Sequence, residues 1–326
     1  MFKNLNRLQM GLSNRYIIDV LTQKIPNENT RNNYIARLTK VSESLGVSIY
    51  DISKEPSKYY PNIKKLYSED STRKNIVIAM LVIFKHIGDM MQKKKASYDY
   101  WKEIHSGLCE AEETRYKKNK PKQSQADNYL SFGEIEEKYE SLKKADPHLT
   151  KKSSQEFVLV AIALYLRPKR ADLGNVAIIK AQAKLSPSKN YLVLDGKTKS
   201  ILVLHDFKTA KKYERIVEPI PAELYEDIKD SLEKHPRRWL FSDRTGGSYS
   251  KNGYSQFVLR SFSHVFGKRV GVTMLRHIYV SERLDFNKMT QEELDGEAQL
   301  MGQSPDLQRK YRWVMRKGEC DCECKV

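Results

Sequence analysis

Thr273-Met274-Leu275-Arg276-His277, then Leu300-Met301-Gly302-Gln303-Ser304, then Tyr311 seven residues past Ser304, form the stretch whose reading decides this sequence. Arg276 falls near the start of a predicted helix. Gly302 permits a tight Gly-polar-Ser turn that presents Gln303. A guanidinium beside a phenol is the pairing that phosphoryl transfer to a protein nucleophile requires: one group carries charge on the phosphate, the other attacks it.

Working outward, a buried helix is predicted over 154–167, stopped by Pro168, with Arg170 in Arg170-Ala171-Asp172-Leu173 just beyond its C-terminal end. Asp172 is expected to orient Arg170 or to cap the next turn. Alternating strands follow at Tyr191–Leu194, Ser200–Asp206 and Tyr213–Pro219, and Lys208 falls in a tight turn between the last two. Ser131 and Glu134 have capping-box spacing ahead of the stripe Ile135, Tyr139 and Leu142. Helix returns after Pro221 and again after Ser250, with Asp243–Tyr249 as a loop.

The first hundred residues read as helical. Asn29 is the expected N-cap of a helix carrying Tyr34, Leu38, Val41 and Leu45 up to Gly46. Ser71 is the expected cap of a second helix reaching about Met91; its apolar centre, Ile76–Phe84, also fits a buried strand. A further helix covers Tyr98–Cys109. Residues 110–128 are nearly devoid of apolar side chains and carry Arg115, Lys117, Lys118, Lys120 and Lys122. They read as a basic linker able to follow a phosphate backbone. The expected division is therefore a helical domain over 1–109, the linker over 110–128, a second domain over 129–317 and a cysteine-rich tail over 318–326.

The chain has 326 residues and a formal charge of +17, split almost evenly between its two halves. That surplus points to a polyanionic partner, nucleic acid rather than a membrane surface. Neither Ile76–Phe84 nor Phe157–Leu166 approaches the roughly 20 apolar residues of a membrane span, and no signal peptide is recognised. Four cysteines, Cys109, Cys320, Cys322 and Cys324, make no disulfide framework in a chain of this length. An intracellular setting, cytoplasm or nucleus rather than secretion, is expected. The alternate-residue spacing of the tail cysteines does not match structural zinc pairs, and no metal or cofactor is expected.

Arg170, a turn lysine at 208, Thr273-x-x-Arg276-His277, Met301-Gly302-Gln303-Ser304 and Tyr311, in that order and with Tyr311 standing 35 residues beyond Arg276, resemble the tyrosine recombinase (phage integrase) family. The resemblance covers residues 129–315 through these motifs and residues 14–105 more weakly. It implies a mainly α, multidomain fold: a helical core-binding domain and an α-rich catalytic domain with a small antiparallel sheet. It implies site-specific recombination or integration of DNA, as in a virus or mobile element, by a homotetramer assembled on the duplex, with no metal or ATP. Tyr311 would form the 3′-phosphotyrosyl link, Arg170 and Arg276 would bind the phosphate, and Lys208 would protonate the leaving 5′-oxygen, with Lys211 and Lys212 as alternatives. His277 would support the site. Segments beyond the tyrosine often dock on a neighbouring protomer, which makes 312–326 a candidate for exchange in trans.

Two positions depart from the pattern. Thr273 and Gln303 stand where the family usually has histidine and histidine or tryptophan. Both can donate a hydrogen bond to phosphate, and neither transfers a proton near neutral pH. Two other readings share these residues: a type IB topoisomerase or telomere resolvase, and a catalytically weak or inactive recombinase-derived DNA-binding protein.

Overall fold

The structure, a computed structural model, describes residues 2–87, 90–180 and 185–314. The cysteines at 320, 322 and 324, the expected tail over 318–326 and most of the 312–326 segment lie outside the described residues. The chain divides into two compact units, 1–118 and 119–326. Among the described residues no helix is long and apolar enough to cross a membrane.

The first unit is all helix: α1 Phe2–Lys24, α2 Glu28–Leu45, α3 Ile49–Lys54, α4 Pro56–Leu66, α5 Asp70–His86, α6 Met90–Lys93 and α7 Lys95–Lys117. Its core gathers Leu21, Leu38, Val41, Ile52, Met80, Ile83, Phe84 and Trp101. Ile76–Phe84 is thus helical, buried along one face of α5 against α2 and α7. The caps shift by two residues from those expected. Asn27 rather than Asn29 caps α2, its side chain accepting the Thr30 N–H at 2.9 Å, and Glu69 rather than Ser71 precedes α5. Gly46 ends α2 at φ 65°, in the left-handed region.

Residues 110–117, read from composition as linker, are instead the last two turns of α7. Good helix formers and charge pairs one turn apart sustain a helix that buries little: Glu113 pairs with Lys117 at 3.3 Å and Glu112 with Arg115 at 3.8 Å. Lys74 of α5 also pairs with Glu112.

The second unit runs α8 Gln123–Ala126, α9 Phe132–Lys144, α10 Lys151–Tyr165, a 3₁₀ turn Ala171–Asn175, β1 Val176–Ile179, β2 Asn190–Val193, α11 Gly196–Lys199, β3 Ile201–Leu204, α12 Ala210–Tyr213, β4 Ile216–Pro219, α13 Ala222–Lys234, α14 Lys251–Phe266, α15 Val272–Glu282, α16 Gln291–Leu300 and α17 Pro305–Tyr311. Ser131 and Glu134 form the expected capping box at α9, and Ser250 caps α14. The sheet has the order β1-β2-β3-β4 and is mixed. β2, β3 and β4 are antiparallel, as expected, but β1 is an added strand that runs parallel to β2. Its Val-Ala-Ile-Ile run is apolar throughout and shows no alternating pattern, and Leu173 and Val176 beside it are buried in the core.

Candidate active site

The site is built around the end of α16. Its final carbonyls lie beyond the reach of the helical ladder, and the chain closes the helix with a Schellman turn. Gln303 N–H bonds the Ala298 carbonyl at 3.0 Å, and Gly302 N–H bonds Gln299 at 2.8 Å. Gly302 has φ 63°, and a Cβ there would stand 3.2 Å from Ile216 Cδ1 and 3.4 Å from Phe207 Cδ2. Glycine suits both the left-handed angle and the tight space, and a side chain there would be strained and would have to displace Ile216 or Phe207.

Three carbonyls of this turn are left to side chains, and cations take all three. Lys169 Nζ donates to Leu300 at 2.5 Å, Arg276 Nη2 to Met301 at 3.1 Å and Arg170 Nη1 to Gly302 at 2.7 Å. The negative end of a helix dipole favours such an arrangement. Thr209 Oγ1 adds a second bond to Gly302 O at 2.8 Å. The one turn therefore gathers both candidate arginines and the segment next to Lys208.

Arg276 is 1% exposed, on the second turn of α15. Its Nη2 also donates to Gln303 Oε1, while its Nε and Nη1 are buried without a hydrogen-bond partner. Burial pushes its pKa down to about 10. No carboxylate among the described residues pairs with Arg276 or with the half-buried Arg170. Gln303, also 1% exposed, spends its oxygen on Arg276 and places its Nε2 3.4 Å from Met301 Sδ.

Ser304 caps α17, with Pro305 in its first turn, and this short helix delivers Tyr311. The half-buried Tyr311 ring lies 5.1 Å from the Arg276 guanidinium carbon and edge-on to His277 at 4.8 Å. Nδ1 of His277 is 2.8 Å from the Tyr311 carbonyl, which can only accept, so that nitrogen carries the proton. The His277 ring stacks on Trp313 at 3.7 Å, and burial drops its pKa to about 4, leaving it neutral. Trp313 N–H bonds Ser281 Oγ at 2.8 Å and Val314 N–H bonds Asn119 O at 2.8 Å, so residues 313 and 314 are each tied to another segment.

No family model and no curated protein matches the chain. Two solved structures are similar to it over most of their length. The crystal structure of XerA recombinase is 12% identical, with 93% of this chain and 94% of that one covered at a TM-score of 0.41. The XerH site-specific recombinase bound to difH substrate, in a pre-cleavage complex, is 15% identical, with 94% and 93% covered at 0.43. Both are recombinases.

The remaining expected residues are placed unevenly. Thr273 is exposed, one turn before Arg276 on α15. Arg170 lies not at the end of α10, which stops at Tyr165, but at the head of the 3₁₀ turn, where Pro168 and Lys169 carry it to Gly302. Asp172 is buried, and burial raises its carboxyl pKa against the pull of Lys251, Arg170 and Arg276. Lys208 is exposed, in a connection longer than the expected tight turn: it runs from Leu204 to Ile216 and contains α12. The neighbours of Lys208 fix its place, because Phe207 packs on Gly302 and Thr209 bonds it. Of the basic cluster, Arg115, Lys117 and Lys118 belong to the first unit and Lys120 and Lys122 to the second. Arg115 and Lys117 are partly offset by Glu112 and Glu113.

Sequence reasoning missed a buried ion network behind the turn. Lys169, held by Leu300 O, also pairs with Glu218 Oε2 at 2.5 Å, and burial drives its pKa down. Glu218 accepts the Arg167 N–H at 3.1 Å, and Arg167 grips Glu297 of α16 through Nε and Nη2, the latter at 2.7 Å. Tyr279 OH completes it at 2.8 Å. One signal was legible: Glu218 occupies an inward position of the alternating strand Ile216–Pro219, where an apolar side chain belongs.

Proposed function

We propose that this chain breaks and rejoins DNA strands as a tyrosine recombinase, through a covalent 3′-phosphotyrosyl intermediate. The observation that carries the reading is Arg276. It is a buried guanidinium with two unpartnered nitrogens, no ion-paired carboxylate among the described residues, though Asp172 is near enough to be felt, and a tyrosine ring 5.1 Å away. A buried, unpaired cation is costly, and an anion entering the site would satisfy it.

In this reading Arg170 and Arg276 hold the non-bridging oxygens of the scissile phosphate. Their planar forks match the charge built up as Tyr311 attacks. Lys208 protonates the departing 5′-oxygen. The bond energy stays in the phosphotyrosyl link, so rejoining uses no nucleotide. His277 fixes the Tyr311 backbone, while Thr273 and Gln303 contribute hydrogen bonds and no base. Exchange between two duplexes involves four active sites, which makes a tetramer on DNA part of the proposal. The basic cluster over 115–122 would add contacts to the phosphate backbone.

The test is a suicide duplex, nicked beside the scissile phosphate and drawn from a random-sequence pool by covalent capture. Wild type is expected to leave a protein–DNA adduct stable to denaturant, and Tyr311→Phe none. An adduct with Tyr311→Phe would reassign the nucleophile. Absence of any wild-type adduct, with retarded DNA in a gel, would favour a second reading, a recombinase-derived DNA binder. That reading draws on Gln303, whose side-chain oxygen is already committed to Arg276.

A further inference from the structure

Arg170 and Lys208 come to the turn at Gly302 from separate segments, and one buried side chain joins those segments. Asn190, the first residue of β2, is 0% exposed. Its Nδ2 donates to Asp172 O at 3.1 Å and to Asn175 Oδ1 at 3.0 Å, both in the 3₁₀ turn that Arg170 heads. The same nitrogen stands 3.0 Å from Asp206 O, so its two hydrogens are shared among three acceptors, and Oδ1 accepts the N–H groups of His205 at 2.9 Å and Asp206 at 2.8 Å. Asn175 Nδ2 repeats the link to Asp206 Oδ2 at 3.2 Å. These bonds begin where the sheet stops: β3 ends at Leu204, so His205 and Asp206 have no strand partner. The Asn190 amide takes the place of the missing ladder and sets the direction in which the chain leaves toward Lys208. Both its hydrogens and its oxygen are committed, and no other side chain of that size offers the same donors and acceptor.

We propose that Asn190 is a positioning residue that holds Lys208 in register with Arg170 for proton delivery. The inference rests on the reading of Lys208 as general acid. In that step the Tyr311 oxygen bonds phosphorus and the bond to the 5′-oxygen breaks. The Lys208 proton goes to that oxygen, and the tyrosyl proton passes to solvent.

The test uses the captured suicide duplex in two forms, with oxygen or sulfur bridging phosphorus to the 5′-carbon. A thiol ionises near pH ~8.5, so a thiolate departs without an acid. On oxygen, Asn190→Ser is expected to form adduct about 10²-fold more slowly than wild type, the scale of a misplaced catalytic group. Lys208→Ala is expected to be slower still. On sulfur both should regain the wild-type rate, while Arg276→Ala should not. If Lys208→Ala recovers on sulfur and Asn190→Ser stays slow, or if Asn190→Ser is as fast as wild type on oxygen, Asn190 is structural only and the proposal fails. If Lys208→Ala does not recover, the general-acid reading fails first and takes the proposal with it. Should Asn190→Ser not fold by circular dichroism, Asn175→Ala carries the same pair of measurements. It removes two bonds of the same bridge from a half-buried position.

Discussion

Arg276 and Lys208 are the two cations that the proposed function brings to one phosphate, and they stand in opposite surroundings. Arg276 is sealed under α16 with part of its guanidinium committed to a carbonyl and a glutamine, and the rest unpartnered. Lys208 is exposed, and only its flanking residues, Phe207 and Thr209, touch the turn. The contrast fits the two tasks proposed for them. A charge-stabilising group gains from burial, because a low-dielectric and fixed environment strengthens its hold on an anion. A proton donor has to recover its proton, which solvent contact supplies. The buried side is therefore fixed by side chains, and the open side by the backbone that carries it.

The comparison can be broken most forcefully from behind the turn. Lys169→Met alone would leave the fully buried Glu218 with only the more distant Arg167 guanidinium, 3.5 Å away, as a counter-charge and should cost about 3 kcal/mol in urea unfolding, whereas Lys169→Met with Glu218→Leu should recover most of it. No recovery in the double variant would mean that the pair is needed for more than its own charge balance.

Arg276→Lys replaces the fork by a point charge. It should slow adduct formation by about 10²–10³-fold while gel-shift affinity stays near wild type. Equal loss of both would make Arg276 a packing residue instead.

His277 gives a pH signature to the buried side. Its pKa is about 4 in the folded protein against 6.5 for a free imidazole, so the folded state favours the neutral ring. That contribution is complete above pH 6.5 and is lost as pH falls toward 4. It is on the order of 3 kcal/mol over that window. His277→Gln keeps a donor for the Tyr311 carbonyl, and its unfolding free energy should vary less with pH across the same window. Parallel curves for the two proteins would assign the ring no such role.

The smallest effect is expected on the open side. Thr273 is exposed, so Thr273→His introduces an imidazole without disturbing the core. Adduct formation should rise by roughly ten-fold near neutral pH and gain a dependence on pH around 6.5, as general-base assistance predicts. An unchanged rate would show that Tyr311 loses its proton without help.

Much of this was legible because it is local. The capping box at Ser131, the stop at Gly46 and the turn at Gly302 depend on neighbouring residues, and side-chain chemistry alone marks them. The helix over 110–117 was not legible, since charge pairing rather than an apolar stripe sustains it. Nor was the long connection around Lys208, whose course depends on Gly302, nearly a hundred residues further on. The buried network was hidden for a similar reason. Lys169 and Glu218 each look like a surface charge until the other stands beside it.

By itself the sequence determined the order of the candidate groups, the helical character of both units, and the strands at β2, β3 and β4, because spacing and residue type act over a few residues. Only the tertiary structure decided that three carbonyls of one helix end would collect Lys169, Arg170 and Arg276, and that Arg276 would be left with unpartnered nitrogens. Those facts depend on which distant segments exclude water from one another. Burial, not residue identity, is what leaves an arginine near a tyrosine with nitrogens that an anion could fill.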